Sequence, residues 1–246
     1  RHALRVQLSL YHDYSEDLQI KDGETKTVSA AMKPSFGSLE VSSTPEEGAD
    51  VHIDGKSAGK TPYSNNRQPS GKYVLRVTKA LFNDVEEEIT VSDGMPTKRS
   101  VTLGNNFGEL IISAPENTIL LNGRQVGTGS YTARLSPGKY TVRAERNQLY
   151  LPDEKEVFLA IGEKKEVTLG AKPRLGSISV YVEPVDARDA EIFVNNESKG
   201  KAPVVVPLMI GTYSMLARKA NFLDKSESVA IRENEQQKLT LTLVTY

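Results

Sequence analysis

Apolar and polar residues alternate with a period of two along most of the chain, the pattern of a strand with one buried face. Leu39 and Val41 stand between polar neighbours, and the alternation returns over residues 73–77 and again at Val157 and Leu159. No window places its apolar residues along one face of a helix. The pattern therefore predicts an all-β protein.

Turn-forming pairs separate the apolar runs at equivalent places. The pairs are Asp54-Gly55, Asn122-Gly123 and Asn195-Asn196. Residues of these types tolerate positive φ, which both central residues of a type I′ hairpin turn require. Short strands that recur about every 8–12 residues, with turns between them, are typical of a β-sandwich.

Sequence markers recur along the chain in one register. The pair Phe36-Gly37 returns as Phe107-Gly108 and Leu175-Gly176, so that the glycine recurs 71 and then 68 residues later. Gly71-Lys72-Tyr73 returns in the same register as Gly138-Lys139-Tyr140. Self-similarity at a fixed period is the signature of a repeat architecture. We therefore divide the chain into a partial unit, residues 1–36 (the half-unit), and three full units of about 70 residues: 37–106 (repeat 1), 107–174 (repeat 2) and 175–246 (repeat 3).

The half-unit matches only the back half of a repeat. Leu4 and Val6 correspond to the strand after the Gly-Lys-Tyr marker, Leu18 to the following strand and Val28 to the last one. Half a sandwich leaves strand edges uncovered. We expect its missing strands to lie upstream in a longer protein, or a neighbouring unit to cover it.

Composition excludes several classes of protein. The chain has 31 basic and 32 acidic residues, no dense basic stripe and no cysteine, which argues against a nucleic-acid partner, disulfides and zinc–thiolate sites. Its longest apolar stretch, residues 202–210, contains two prolines and is far shorter than a membrane span. The first residue is Arg1, not methionine. We expect either that a leader was removed or that the chain is a fragment of a longer protein.

Neither metal binding nor catalysis has a convincing set of side chains. The three histidines, His2, His12 and His52, form no pair at a spacing that suits a metal. His12 and Asp13 would need a distant serine for a catalytic triad. The acidic group Glu46, Glu47, Asp50 and Asp54 is a conceivable calcium site, but it matches no EF-hand spacing, and a solvated acidic turn is the simpler interpretation.

An aromatic residue recurs in one loop of every unit. These residues, Tyr11, Phe82, Tyr150 and Phe222, follow Leu10, Leu81, Leu149 and Asn221. A repeated aromatic at one position is most simply a plug in the core of each sandwich. The alternative is that the rings stack on a sugar, which would make the four residues a glycan-binding set.

The motif that begins repeat 1 resembles that of the PEGA domain family. Pro45-Glu46-Glu47-Gly48-Ala49 contains the Pro-Glu-Gly-Ala motif with one extra glutamate, and Gly59-Lys60-Thr61-Pro62 and the Gly-Lys-Tyr marker follow at the expected places. Repeat 2 keeps Pro115-Glu116, and repeat 3 keeps Pro184 and, after an insertion, Asp189-Ala190. Physically, Pro45 suits the turn after the first strand and Gly48 allows a tight bend.

The resemblance implies an immunoglobulin-like or prealbumin-like β-sandwich in each repeat and a bacterial or archaeal envelope protein. The family has no established catalytic residues, so we expect no enzyme activity, cofactor or metal. The expected function is a structural, spacer or adhesive module outside the cytoplasm, on the cell surface or in the periplasm. Its partners would be other envelope proteins or neighbouring repeats. The alternative is a module that binds envelope glycan or peptidoglycan.

Short linkers, residues 103–106 and 170–174, should hold neighbouring units against one another. If the chain is a spacer, we predict that solution scattering shows a semi-rigid rod. A compact globule would contradict the spacer hypothesis.

Overall fold

A computed structural model describes all 246 residues and shows an all-β protein. The only helical segment is a single 3₁₀ turn, Val185–Ala187. No helix has the length and hydrophobicity needed to cross a membrane. The chain forms two compact units: unit 1 contains residues 1–109, 134–137 and 160–163, and unit 2 contains residues 110–133, 138–159 and 164–246.

The half-unit contains one antiparallel hairpin, β1 (His2–Val6) and β2 (Tyr14–Leu18). The predicted last strand at Val28 is wrong, because residues 24–34 form no regular strand. In repeats 1 and 3 the last strand pairs in parallel with the first strand of the same repeat. The half-unit has no such first strand, and its last segment therefore has no partner.

Repeat 1 is a sandwich of two sheets. The strands are β3 (Phe36–Thr44), β4 (Asp50–Ile53), β5 (Lys56–Lys60), β6 (Tyr63–Pro69), β7 (Gly71–Thr78), β8 (Val85–Val91) and β9 (Pro96–Thr102). One sheet has the strand order β5-β4-β7-β8, and the other has the order β6-β3-β9 with β3 and β9 parallel. The predicted alternation is confirmed, since Leu39, Val41, Leu75 and Val77 are buried between the sheets.

Repeat 2 differs because its first strand does not break at the motif position. The strands are β10 (Gly108–Leu121), β11 (Arg124–Leu135), β12 (Gly138–Glu145), β13 (Tyr150–Leu151), β14 (Asp153–Leu159), β15 (Lys164–Thr168) and β16 (Lys172–Pro173). β10 continues past Pro115 and Glu116 and belongs to a sheet of order β11-β10-β12-β14, in which β15 also pairs with β10. Leu110 and Ile112 on β10 are buried in alternation, and after the exposed Pro115 and Glu116 the alternation shifts by one residue, so that Ile119 is buried.

Repeat 3 returns to the arrangement of repeat 1. The strands are β17 (Leu175–Glu183), β18 (Glu191–Val194), β19 (Glu197–Lys201), β20 (Val204–Met209), β21 (Gly211–Arg218), β22 (Lys225–Ile231) and β23 (Gln236–Thr242). Its sheets have the orders β19-β18-β21-β22 and β20-β17-β23, and β17 and β23 are parallel. The 3₁₀ turn is the insertion between β17 and β18.

The predicted hairpin turns have the backbone that type I′ geometry requires. Asp54, Asn122 and Asn195 have φ of 49°, 49° and 47°, and the residue after each also has positive φ. Each side chain accepts a hydrogen bond from a backbone N–H of the neighbouring strand, at Val74, Thr141 and Ser214. The aspartate or asparagine therefore has two roles: it adopts the positive φ of the turn, and its side chain hydrogen-bonds the turn to the next strand.

The motif loop of repeat 1 is held by two buried hydroxyl groups. Ser43 Oγ and Thr61 Oγ1 are 2.6 Å apart, and Thr61 Oγ1 accepts a hydrogen bond from the Ala49 N–H at 3.0 Å. Gly48 has φ of 79° and donates its N–H to the Thr61 carbonyl. Buried polar groups are stable when they are paired in this way. The Pro-Glu-Gly-Ala motif thus has the structural role that its sequence predicts.

The recurring glycine of the first strand is explained by a close backbone approach. A Cβ atom on Gly37 would lie 2.5 Å from the carbonyl oxygens of Met95 and Ser92, in the turn between β8 and β9. Gly176 meets the corresponding turn of repeat 3. Only a residue without a side chain fits at this place.

We predict that Gly37→Ala lowers the free energy of unfolding by about 1–3 kcal/mol, the usual cost of forcing extra volume into a packed site. Chemical denaturation followed by circular dichroism measures it. The matched control is Gly170→Ala, whose added methyl group would meet no atom within 4 Å. Equal stability of the two variants would contradict the close-approach explanation.

Candidate functional site: the junctions between repeats

Each linker between repeats is hydrogen-bonded to the preceding loop that carries the recurring aromatic residue. The N–H groups of Ser35, Asn106 and Arg174 donate to the carbonyls of Leu10, Leu81 and Leu149, each at 2.9 Å. The aromatic residue faces the linker in a short antiparallel bridge, as in the pairs Tyr11 with Pro34 and Tyr150 with Pro173. These bonds hold each linker against the loop of the preceding repeat.

The residue after each of these three donors is bonded to the following repeat. The Phe36, Phe107 and Leu175 carbonyls accept hydrogen bonds from Gly94, Gly162 and Asn234, at 2.8–2.9 Å. The linker therefore has backbone bonds to the repeat before it and to the repeat after it. We call this arrangement the linker staple, and it occurs at three places: half-unit to repeat 1, repeat 1 to repeat 2 and repeat 2 to repeat 3.

The first two staples each contain a pair of aromatic rings. Tyr11 and Phe36 have ring centroids 5.9 Å apart at an interplanar angle of 79°, and Phe82 and Phe107 have the same separation at 75°. An edge-to-face pair of this kind adds stabilisation beyond the area that it buries. All four residues belong to unit 1.

An arginine lies over the second ring of each pair. Arg67 is 5.0 Å from the Phe36 centroid, and Arg134 is 4.9 Å from the Phe107 centroid. Such cation–π contacts contribute modestly at exposed sites. Arg134 also pairs with Glu46 of the motif loop at 3.1 Å. The motif loop thereby takes part in the second staple as well as in the fold of repeat 1.

The staple before repeat 3 has a different composition. Leu175 replaces the second aromatic residue, and Arg146 lies 4.5 Å from the ring of Tyr150. Arg174 approaches Glu233 at 3.8 Å, and its carbonyl accepts a hydrogen bond from Ile210 N–H at 3.0 Å. The backbone pattern is retained while the side chains change, so backbone hydrogen bonding is the constant part of the staple.

The first staple also contains a histidine, an aspartate and a serine in mutual contact, a group that the others lack. His12 Nε2 and Asp93 Oδ2 are 2.6 Å apart, and the Ser70 hydroxyl donates to the other Asp93 oxygen. The hydrogen bond from Ser70, followed by that from His12, lowers the pKa of the Asp93 carboxyl below its usual value. Because serine donates to aspartate and not to histidine, this trio lacks the order that activates a nucleophile.

The four predicted aromatic residues all occupy the same structural position. Phe82 and Phe222 are 8% and 9% exposed and belong to the cores of repeats 1 and 3, whereas Tyr11 and Tyr150 are half-buried. Tyr150 lines a surface cavity of about 300 Å³ together with Arg143, Arg146 and Asn147. Stacking of these residues on a glycan stays a prediction.

The acidic residues considered for calcium do not converge. Asp50 pairs with Lys60 at 2.6 Å, Glu46 with Lys79 and Arg134, and Asp54 accepts the backbone bond described above. No group of three or more histidine, aspartate or glutamate residues is arranged to hold a metal ion. Asp13 accepts hydrogen bonds from Arg5 and Gln7 and is not part of a triad with His12.

The architecture defines a tandem array of small β-sandwiches whose linkers are hydrogen-bonded on both sides. The family model of the PEGA domain matches residues 36–106 and 175–245. The chain therefore belongs to the PEGA domain family. Repeat 2 lies between the two matched segments and has the altered motif and the uninterrupted first strand.

No curated protein sequence matches the chain significantly. Among solved structures, the Bacillus anthracis TIE protein is similar over 95% of this chain and 54% of its own, with 18% identity and a TM-score of 0.44. A streptococcal ancillary pilin is similar over 84% and 98% of the two chains, with 11% identity and a TM-score of 0.33. This chain thus spans about half the length of the first protein, and at these scores neither likeness carries a functional argument.

We predict that Phe82 and Phe107 are energetically coupled. In a double-mutant cycle of the two alanine substitutions, the coupling energy should be about 0.5–1.5 kcal/mol, the range for an edge-to-face pair. Urea denaturation of the two single variants and the double variant measures it. As a control, Phe158→Ala removes a ring that is 57% exposed and should show no coupling to Phe82. Additive effects of Phe82 and Phe107 would contradict the ring-pair contribution.

We also predict that Asp93 makes stability depend on pH in the acid range. Its carboxyl has a folded pKa below the ordinary 3.8, so the unfolded chain binds more protons in that interval and stability rises with pH. The contribution is fully present above the ordinary pKa and is lost as pH falls through the lower folded value. Thermal melts between neutral and strongly acid pH should show a smaller acid loss for Asp93→Asn than for the unaltered chain.

Ser70→Ala serves as an intermediate case, because it removes the donor with the largest effect on the Asp93 pKa and leaves the carboxylate in place. Its acid loss should lie between those of the unaltered chain and Asp93→Asn. An identical pH dependence in all three proteins would show that the Asp93 contacts do not persist in solution.

Proposed function

We propose that the chain is a non-catalytic structural module of a cell-envelope protein, located outside the cytoplasm, on the cell surface or in the periplasm of a bacterium. It would act as a spacer or an adhesive module, and its partners would be other envelope proteins or neighbouring repeats. We retain the boundaries 1–36, 37–106, 107–174 and 175–246 as its functional repeats. Membership of the PEGA family supports this assignment.

The linker staple is the observation that carries the spacer proposal. A spacer must hold its two ends at a fixed separation, and free rotation at a linker would prevent that. At each junction, backbone hydrogen bonds connect the linker to both flanking repeats, and at two junctions an aromatic pair adds a packed contact. Small sandwiches with thin cores benefit from such bracing, since array stability depends on unit and interface terms.

The proposal predicts that the half-unit and repeat 1 tumble as one body. In ¹⁵N relaxation of the full chain, amides of β1 and β2 should have the same R2/R1 ratio as amides of β3 and β7. The Tyr11→Ala, Phe36→Ala double variant should separate the two sets, with faster local motion in the half-unit. A half-unit that already moves independently in the unaltered chain would contradict the spacer proposal.

A second candidate function is binding of envelope glycan or peptidoglycan by the recurring aromatics. The cavity beside Tyr150 favours it, because a half-buried ring there lies next to arginine and asparagine side chains that can bond sugar hydroxyls. A pull-down with peptidoglycan and a glycan array test it. Specific binding abolished by Tyr150→Ala, with the fold intact, would favour this function over a pure spacer.

A further inference from the structure

Repeat 3 has a groove on the outer face of its three-stranded sheet that differs from its counterpart in repeat 1. A surface cavity of about 270 Å³ lies there, and we call it the outer-face groove. It is lined by Tyr181, Glu183, Arg188, Pro203, Lys238 and Thr240. Tyr181 and Thr240 are paired on neighbouring strands, as are Ser179 and Lys238. All of these residues belong to unit 2.

The corresponding place in repeat 1 is neutralised by an ion pair. Glu40 on β3 faces Lys98 on β9 in the register, and their charged groups are 2.8 Å apart. Lys98, the basic residue of that face, therefore already has a carboxylate partner.

Repeat 3 has lost this neutralising carboxylate. Ser179 stands where Glu40 stands in repeat 1, and Tyr181 stands where Ser42 stands. Lys238 has no carboxylate partner, and its Nζ lies 4.9 Å from the centroid of the Tyr181 ring. A lysine on an exposed aromatic ring is available to an incoming anion, because no strong ion pair must first be broken.

The insertion that distinguishes repeat 3 adds a second free cation. Arg188 directly follows the 3₁₀ turn, is exposed and takes part in no ion pair. The nearby Asp189 is occupied by Lys219 and Lys201. Arg188 and Lys238 thus place two unpaired positive charges at one groove. An arginine and a lysine in such a position are suited to binding a carboxylate.

We propose that the outer-face groove binds an acidic saccharide, a sugar that carries a carboxylate. The Tyr181 ring, 41% exposed, and Pro203 present apolar surface for the face of a sugar ring, and Arg188 and Lys238 receive the carboxylate. Thr240 and the Glu183 carboxylate bond the sugar hydroxyls. This inference goes beyond the spacer function and does not depend on it.

The single carboxylate in the groove distinguishes a sugar acid from an acidic peptide. Glu183 accepts hydrogen bonds from hydroxyl groups, which a sugar acid has beside its one charge on each unit. A run of aspartate or glutamate residues offers no hydroxyl donors and would be repelled by Glu183. The arrangement of two cations, one acceptor carboxylate and an exposed ring therefore favours the saccharide.

The test is a titration of the ¹⁵N-labelled full chain with tetragalacturonate, followed by chemical shifts at low and high salt. Saturable shifts should be centred on the amides of Tyr181, Arg188, Lys238 and Thr240, and they should weaken as salt screens the carboxylate. Uncharged galactotetraose and a short oligoglutamate peptide are the comparison ligands. Both should bind at least about tenfold more weakly than tetragalacturonate.

Two substitutions reproduce features of repeat 1 within repeat 3. Ser179→Glu supplies the carboxylate that neutralises Lys238, and Tyr181→Ser removes the ring. A third variant, Arg188→Gln, removes the second cation. Each of the three single variants should weaken tetragalacturonate binding about tenfold. Arg232→Gln is the matched control, since it removes the same charge from an exposed arginine elsewhere in repeat 3 and should change the affinity less than about twofold.

Spectra of the variants without ligand show whether each one is folded. If Ser179→Glu does not fold, the variants at the exposed residues Arg188 and Tyr181 still test the proposal. Absence of saturable shifts would overturn the proposal. So would equal binding of galactotetraose, tighter binding of oligoglutamate, or an unchanged affinity in Arg188→Gln. None of these outcomes bears on the relaxation test of the spacer function, so that the two proposals fail separately.

Discussion

The two-sided hydrogen bonding of the linker is the constraint on which the array depends. Ser35, Asn106 and Arg174 each donate to the preceding unit, and the carbonyl of the next residue accepts from the following one. Backbone groups of the linker are thus hydrogen-bonded to the repeat before it and to the repeat after it, where a flexible tether would leave them to water. A sandwich of about 70 residues has a small core, and the linker bonds add contacts at its ends.

Side chains at the staples vary while the backbone pattern persists. The first two staples use an aromatic pair covered by an arginine, whereas the third has Leu175 and a charged contact between Arg174 and Glu233. The outer faces of repeats 1 and 3 also have different side chains at equivalent backbone positions, since Glu40 in repeat 1 corresponds to Ser179 in repeat 3. The shared backbone thus maintains the array, and side-chain differences are free to give individual repeats their own binding surfaces.

The strands with one buried face and the type I′ turns could be predicted from the sequence, because both depend on local pattern. β5 and β6 could not, since Lys56–Lys60 and Tyr63–Pro69 are largely polar edge strands without regular alternation. Val28 was misassigned because a parallel strand needs a partner far away in the chain. The position of the recurring aromatics was visible, but their ring partners were not, because Phe36 and Phe107 reach them only through the linker geometry.

Native-state hydrogen exchange of three linker amides tests the central claim most directly. The Ser35, Asn106 and Arg174 N–H groups should exchange as slowly as amides inside β3 and β17, because opening them requires breaking the staple and not merely moving a loop. Exchange at the rate of an unstructured peptide would show that the linkers are free in solution. The account of the chain as a braced array would then be wrong, whatever the stability of the individual sandwiches.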